Sequence, residues 1–190
     1  HSEFIYLLIA PVYMLFPDPR TLLLIQTLII SLGAFPVYKL AKTKIEGNFT
    51  PFCFSLVYLL YPALQYGNLL DFHPDMLATT FLLFTFYFLE KEEWGRYFIF
   101  LLLSVMCKEY VSLVVIMLGL YILLKHKNKK FAGITLILGI VWFFMAYKVL
   151  PWFLGGGKEI TMVQYYRDAG PTLGAIIKNT IFDPLNTVSK

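Results

Sequence analysis

Asp71, His73 and Asp75 alternate with Phe72 and Pro74 in the stretch DFHPDM, residues 71–76. A second polar pair, Lys108-Glu109, lies in CKEY, residues 107–110. Both stretches sit between long apolar runs, and their side chains could do three kinds of chemistry. A carboxylate such as Asp71, Asp75 or Glu109 can polarise or deprotonate a hydroxyl. An ammonium such as Lys108 can stabilise a phosphate. Asp71, His73 and Asp75 together offer two hard carboxylate ligands and an imidazole to a divalent cation. Each residue also has a purely structural explanation. Pro74 fits the first position of a helix, which puts Asp75 in a first turn where the helix dipole favours an acid. His73 precedes a proline and so favours extended backbone. An extended Asp71-Phe72-His73 points Asp71 and His73 to one side. Lys108 could pair with Glu109 or with an acid of DFHPDM.

The elements that must position these residues are dictated by composition. Of the 190 residues 58% are hydrophobic, 18% aromatic and only 15% charged, and mean hydropathy is +0.68. Soluble domains are less apolar and more charged. Apolar runs of near-spanning length recur along the chain, which predicts an all-α, polytopic transmembrane helical bundle in one membrane domain. The net charge of +4 comes from lysines clustered between apolar runs. That is a topology signal, not a nucleic-acid-binding surface.

Residues 4–16 are apolar but too short to span, are interrupted by Pro11 and are stopped by Pro17-Asp18-Pro19; they predict an interfacial helix. Spans are expected at about 21–41, 51–70 with a kink at Pro62, 74–89, 95–107, 110–124 and 131–150. An extracytoplasmic loop over 151–190 follows, with Gly155–Gly157 as a hinge. Residues 97–124 admit two readings: one span with Lys108-Glu109 at its centre, or two short helices meeting at CKEY. The positive-inside rule chooses between them. Lys39, Lys42 and Lys44 mark a cytoplasmic side, to which Lys91 and Arg96 return two crossings later. Lys125, Lys127, Lys129 and Lys130 join that side only if 97–124 crosses twice. DFHPDM and CKEY then share the extracytoplasmic face. The helices flanking Lys108 are about 21–22 Å long at 1.5 Å per residue, short of a ~30 Å hydrocarbon core. The turn between them lies below the membrane surface, where it needs surrounding protein or a water-filled cavity.

Other features carry less. Cys53 and Cys107 have no metal or disulfide spacing and read as packing residues. Asn48-Phe49-Thr50 is a glycosylation sequon on the cytoplasmic side. Tyr165, Tyr166 and Arg167 could border an outer site or form an interfacial aromatic patch, and residues 172–183 predict a short amphipathic helix. A chain that opens at His1, without a basic leader, is expected to be an internal piece of a longer protein.

The order of FPDPRTLLL, a span ending in lysines, YPALQYGNLLDFHPDM, VMCKEYVSLVV and a last span ending LPWF resembles the polytopic membrane proteins grouped as domain-of-unknown-function family 2079. The likeness covers nearly the whole chain. More distantly the layout is similar to membrane glycosyltransferases of the GT-C fold, such as the aminoarabinose and protein mannosyl transferases. Those carry PDM at an outer helix start and a lysine in a turn between two short helices, and take sugar from a polyprenyl-phosphate carrier. The resemblance matches Asp75 to the Asp of PDM and Lys108 to the turn lysine, and places His1 loosely near a histidine before the first short helix. It also implies that the principal catalytic acid precedes His1.

The expected function is therefore the central part of a membrane glycosyltransferase acting at the extracytoplasmic face of a prokaryotic cell membrane. Asp71, Asp75 and Glu109 are the expected catalytic carboxylates. Lys108, His73, Tyr110 and His1 are the expected substrate-binding residues, and a divalent metal ion on Asp71, His73 and Asp75 is the expected cofactor. Expected partners are membrane lipid and a polyprenyl-phosphate sugar donor, with no nucleic acid. Two alternatives stand beside this one. The first is a transporter with a buried-charge relay, although no inverted repeat around a midplane site is evident. The second is a non-catalytic scaffold or lipid-binding protein.

Overall fold

In a computed structural model of the chain, residues 3–149 are described, and their regular elements are all helices. The chain divides into two compact units, His1–Phe143 and Phe144–Lys190. The second is described only over its first residues, which include a π-helical turn at Met145–Val149. The expected loop over 151–190, with Gly155–Gly157 and Tyr165–Arg167, lies outside the described residues, as does His1.

The first unit is built from α1 (Tyr6–Leu15), α2 (Pro19–Leu32), α3 (Ala34–Lys42), α4 (Phe49–Leu60), α5 (Pro62–Leu70), α6 (Pro74–Glu90), α7 (Trp94–Cys107), α8 (Val111–Tyr121) and α9 (Lys129–Phe144). Prolines set most of the boundaries. Pro17-Asp18-Pro19 ends α1 and begins α2: Asp18 caps α2 by accepting from the Arg20 N–H at 2.8 Å, with Pro19 at the first helical position. The run expected as one span over 21–41 is pinched at Gly33, because Pro36 has no N–H to offer the Leu32 carbonyl. Gly33 also gives way to the Tyr58 ring, whose hydroxyl donates to the Ile30 carbonyl at 3.0 Å; a Cβ at Gly33 would collide with it. The expected kink in 51–70 is a full break: Tyr61, held extended by Pro62, separates α4 from α5.

Two helices, Pro19–Lys42 and Lys129–Tyr147, are long and apolar enough to cross a membrane by length and composition. Shorter apolar helices lie at Tyr6–Leu15, Trp94–Cys107 and Val111–His126. Their outer faces stay greasy. Leu24, Leu28 and Leu32 on α2, and Ile137, Val141 and Phe144 on α9, recur at helical spacing as exposed stripes. Such faces suit a hydrocarbon solvent and not water.

Helix α6 is the axis of the unit. It packs most extensively on α7, where Phe84 and Phe88 stack on Phe100 with ring centres 4.7 and 5.4 Å apart. Helix α8 doubles back from the end of α7, so α7 and α8 form a hairpin. Small residues let α9 approach α8: Gly119 lies against Leu136, and Gly139 against Ile116 and the Ser112 carbonyl. Tyr97 of α7 bonds Thr135 of α9 at 3.1 Å inside the core.

This arrangement gives the unit two polar ends. At one, the starts of α1, α6 and α8 and the end of α7 converge. At the other, the ends of α6 and α8 meet the starts of α7 and α9, near most of the lysines.

Candidate functional site

Four segments supply the side chains at the first end. Pro74 starts α6 behind an extended His73 (φ −129°, ψ 121°), so Asp75 falls in the first turn. Lys108 caps the end of α7 in extended backbone (φ −154°, ψ 146°), and Tyr110 is the residue from which α8 starts. The start of α1 is pinned beneath them by a backbone hydrogen bond, the Ile5 N–H donating to the Met106 carbonyl at 3.0 Å. That bond holds Glu3 against Lys108, and the two form a close ion pair.

Lys108 also faces Asp75, its Nζ 3.7 Å from Oδ1. Lys108 and Glu3 are 14% and 16% exposed and Asp75 31%, so this is a half-buried cluster with two carboxylates to one ammonium. Tyr110 approaches Asp75 from the other side, and Tyr6 approaches Glu3. Asp75 Oδ1 is buried and has no hydrogen-bond partner among the described residues. The polar neighbours of this carboxylate are the Lys108 ammonium and the Tyr110 hydroxyl.

Asp71 and His73 belong to a different arrangement. Both backbones are extended and the side chains pair at 2.6 Å, but they are 66% and 52% exposed. Their backbone is locked from below by Gln26 of α2, which is fully buried. Its amide accepts from the His73 N–H at 2.8 Å and donates to the Asp71 carbonyl at 3.2 Å and to Asn68 at 3.3 Å. The expected metal set is thus divided: Asp71 pairs with His73, and Asp75 turns to Lys108. Among the described residues no group of three His, Cys, Asp or Glu side chains is placed to share an ion, so Asp71, His73 and Asp75 do not fit one. Lys108 pairs with Glu3 and Asp75; Glu109 has contacts of its own, and its backbone carbonyl accepts from Ser112 at 2.5 Å.

Sequence reasoning missed Glu3 and Gln26. A lone Gln in an apolar span is itself a signal, since such a group needs partners in the membrane. Glu3 offered only its scarcity, an acid just before an apolar helix.

The opposite end holds Glu90, Tyr121, Lys125 and His126. Lys125 Nζ lies 2.7 and 2.6 Å from the two Glu90 oxygens, and the Tyr121 hydroxyl donates to Glu90 at 2.7 Å. Glu90 ends α6, just past the expected span 74–89, and Tyr121, Lys125 and His126 lie in the last turns of the apolar helix Val111–His126. Burial pushes the Glu90 carboxyl up, but the bonds from Lys125 and Tyr121 outweigh it and hold it below the usual range.

Exposed apolar stripes and two helices long and apolar enough to cross a membrane agree with a membrane protein. The chain belongs to the family of predicted membrane proteins DUF2079, whose model matches residues 1–190. No curated protein and no solved structure matches it.

Proposed function

We propose that this chain is the central membrane part of a polytopic, GT-C-like glycosyltransferase, acting at the extracytoplasmic face of a prokaryotic cell membrane on a polyprenyl-phosphate-linked sugar. The observation that carries the reading is the 3.7 Å approach of Lys108 to Asp75, because the likeness to GT-C enzymes rests on those two residues. Asp75 Oδ1 has no hydrogen-bond partner among the described residues and lies beside the Lys108 ammonium. In the reaction an acceptor hydroxyl gives its proton to Asp75. Its oxygen forms the bond to the anomeric carbon, and the bond from that carbon to the phosphate oxygen breaks. The lipid phosphate leaves as an anion facing Lys108. Lys108 already holds Glu3, so the phosphate must displace that carboxylate. Tyr110 borders the same space. Asp71 and His73, exposed beside it, are placed to orient the acceptor, and Glu109 stays in the turn.

The test measures stability and binding of a short-chain polyprenyl phosphate on the same purified full-length variants. Lys108→Met should weaken binding, and Lys108→Arg should keep part of it, since the charge persists with a different geometry. Glu3→Gln should strengthen binding by removing the competitor. Unchanged affinity in Lys108→Met, with stability lost, overturns the phosphate role and leaves a structural ion cluster in a scaffold or lipid-binding protein.

A further inference from the structure

The lysine-rich end contains a histidine that the proposed chemistry does not use. The His126 side chain is 8% exposed, wedged edge-on between Trp94 and Tyr121 with ring centres 6.3 and 6.1 Å away. Its Nδ1 lies 3.1 Å from Glu92 Oε1. Because a carboxylate only accepts, Nδ1 carries the proton. Nε2 points toward Glu90 Oε1 at 3.8 Å, is buried, and has no hydrogen-bond partner among the described residues. Among the described residues, the charged and titratable groups facing the ring are Glu90 at the end of α6, Glu92 in the α6–α7 turn, Tyr121 at the end of α8 and Lys125 in the π-helical turn Ile122–His126 that follows it. Neighbouring Glu93 is engaged by Arg96 at 2.8 Å.

The backbone shows a second feature here. Among the described residues, the non-glycine positions with positive φ are Glu92 (57°) and Lys127 (54°). One is the histidine's partner and the other its chain neighbour. Left-handed backbone costs free energy for such residues and persists where the surroundings impose it, often at switch elements.

We infer that His126 is a pH-sensitive clamp that joins the α6–α7 turn to the end of α8. In the neutral ring only Nδ1–H donates, and Nε2 faces Glu90 with no proton. A second proton makes both ring nitrogens donors. The protonated ring then donates to Glu92 and Glu90 at once, and an approach of about 1 Å brings Nε2 to hydrogen-bond distance. Glu90 remains ionised, because Lys125 and Tyr121 hold its carboxyl low. The clamp is independent of the chemistry proposed for the other end.

The experiment is amide hydrogen exchange on the full-length protein at pH 8 and pH 6, corrected for intrinsic exchange. It follows Lys91, Glu92, Glu93 and Trp94, whose N–H groups all make turn hydrogen bonds. A bond to a charged group corresponds to about tenfold in local opening, so protection should rise about tenfold from pH 8 to pH 6. His126→Gln, which keeps one donor and cannot protonate, should abolish the rise. Glu92→Gln, at an exposed turn position, should reduce it and decides the matter if His126→Gln fails to fold. No rise in the wild type, or an equal rise in either variant, overturns the clamp.

Discussion

Two ion clusters sit at the two ends of α6, and they differ in what they exclude. At the α6 start, Glu3, Asp75 and Lys108 are drawn from segments far apart in the chain and are largely shut away from solvent, with acids outnumbering the cation. At the α6 end, Glu90 meets Lys125, which is 45% exposed, and charges are balanced or basic. The lysine-rich cluster closes a fold at a wet surface. The other retains an excess acid in a largely enclosed place, where an unbalanced charge is costly. That imbalance would be a poor way to build stability, and it is the reason for placing chemistry at that end.

The largest effect should come from Lys108→Met, which leaves two half-buried carboxylates unpaired. A loss of about 3–5 kcal/mol is expected, read as thermal unfolding of the purified protein. Adding Glu3→Gln and Asp75→Asn should restore most of it. A loss no greater than that of Lys125→Met would erase the contrast between the ends.

Next is Gln26→Leu. It strips partners from the His73 N–H and the Asp71 carbonyl and should cost about 1–3 kcal/mol. Enhanced exchange of the His73 amide would show where. If the amide stays protected, Gln26 is not what fixes the DFHPD stretch.

Lys125→Met should cost much less than Lys108→Met, because the Lys125 side chain is exposed and solvent screens its charge. Its pH dependence has a definite sign. The Glu90 carboxyl is held low in the folded state, so the pair's contribution is complete above the ordinary glutamate range and fades as pH falls through the depressed value. A difference between wild type and Lys125→Met that grows on acidification would contradict this.

The smallest effect should be that of Asp71→Ala, within about 0.5 kcal/mol for an exposed pair. A stable Asp71→Ala that still loses substrate binding would extend the site outward from the half-buried cluster. One that binds normally would confine the site to Asp75, Lys108 and Glu3.

The helical, membrane-embedded character could be read from the apolar runs. The turn at Lys108 could be read from charge counting, because four lysines after residue 124 belong with those before it only if the chain turns back. Of the company Lys108 keeps, an acid of DFHPDM was legible, and it is Asp75; Glu3 was not. Periodicity tells which residues share a helix face, but Glu3 lies before its helix and reaches Lys108 through a backbone bond to Met106 that no local pattern encodes. The same limit explains the metal expectation. Alternation placed Asp71 and His73 on one side, yet the first turn of α6 carries Asp75 away toward α7. His126 drew no notice because nothing in ILLKHK says that Glu90 and Glu92 wait opposite.

The Glu3–Lys108 pair spans 105 positions of chain. A ribosome adding about 5–20 residues per second needs on the order of 5–20 s to reach the second after making the first. For that interval Glu3 has no cation to meet, and α1 has no Met106 carbonyl to hold it. The first helix can therefore take up this position only after α7 has been made, so assembly at this end is timed by synthesis.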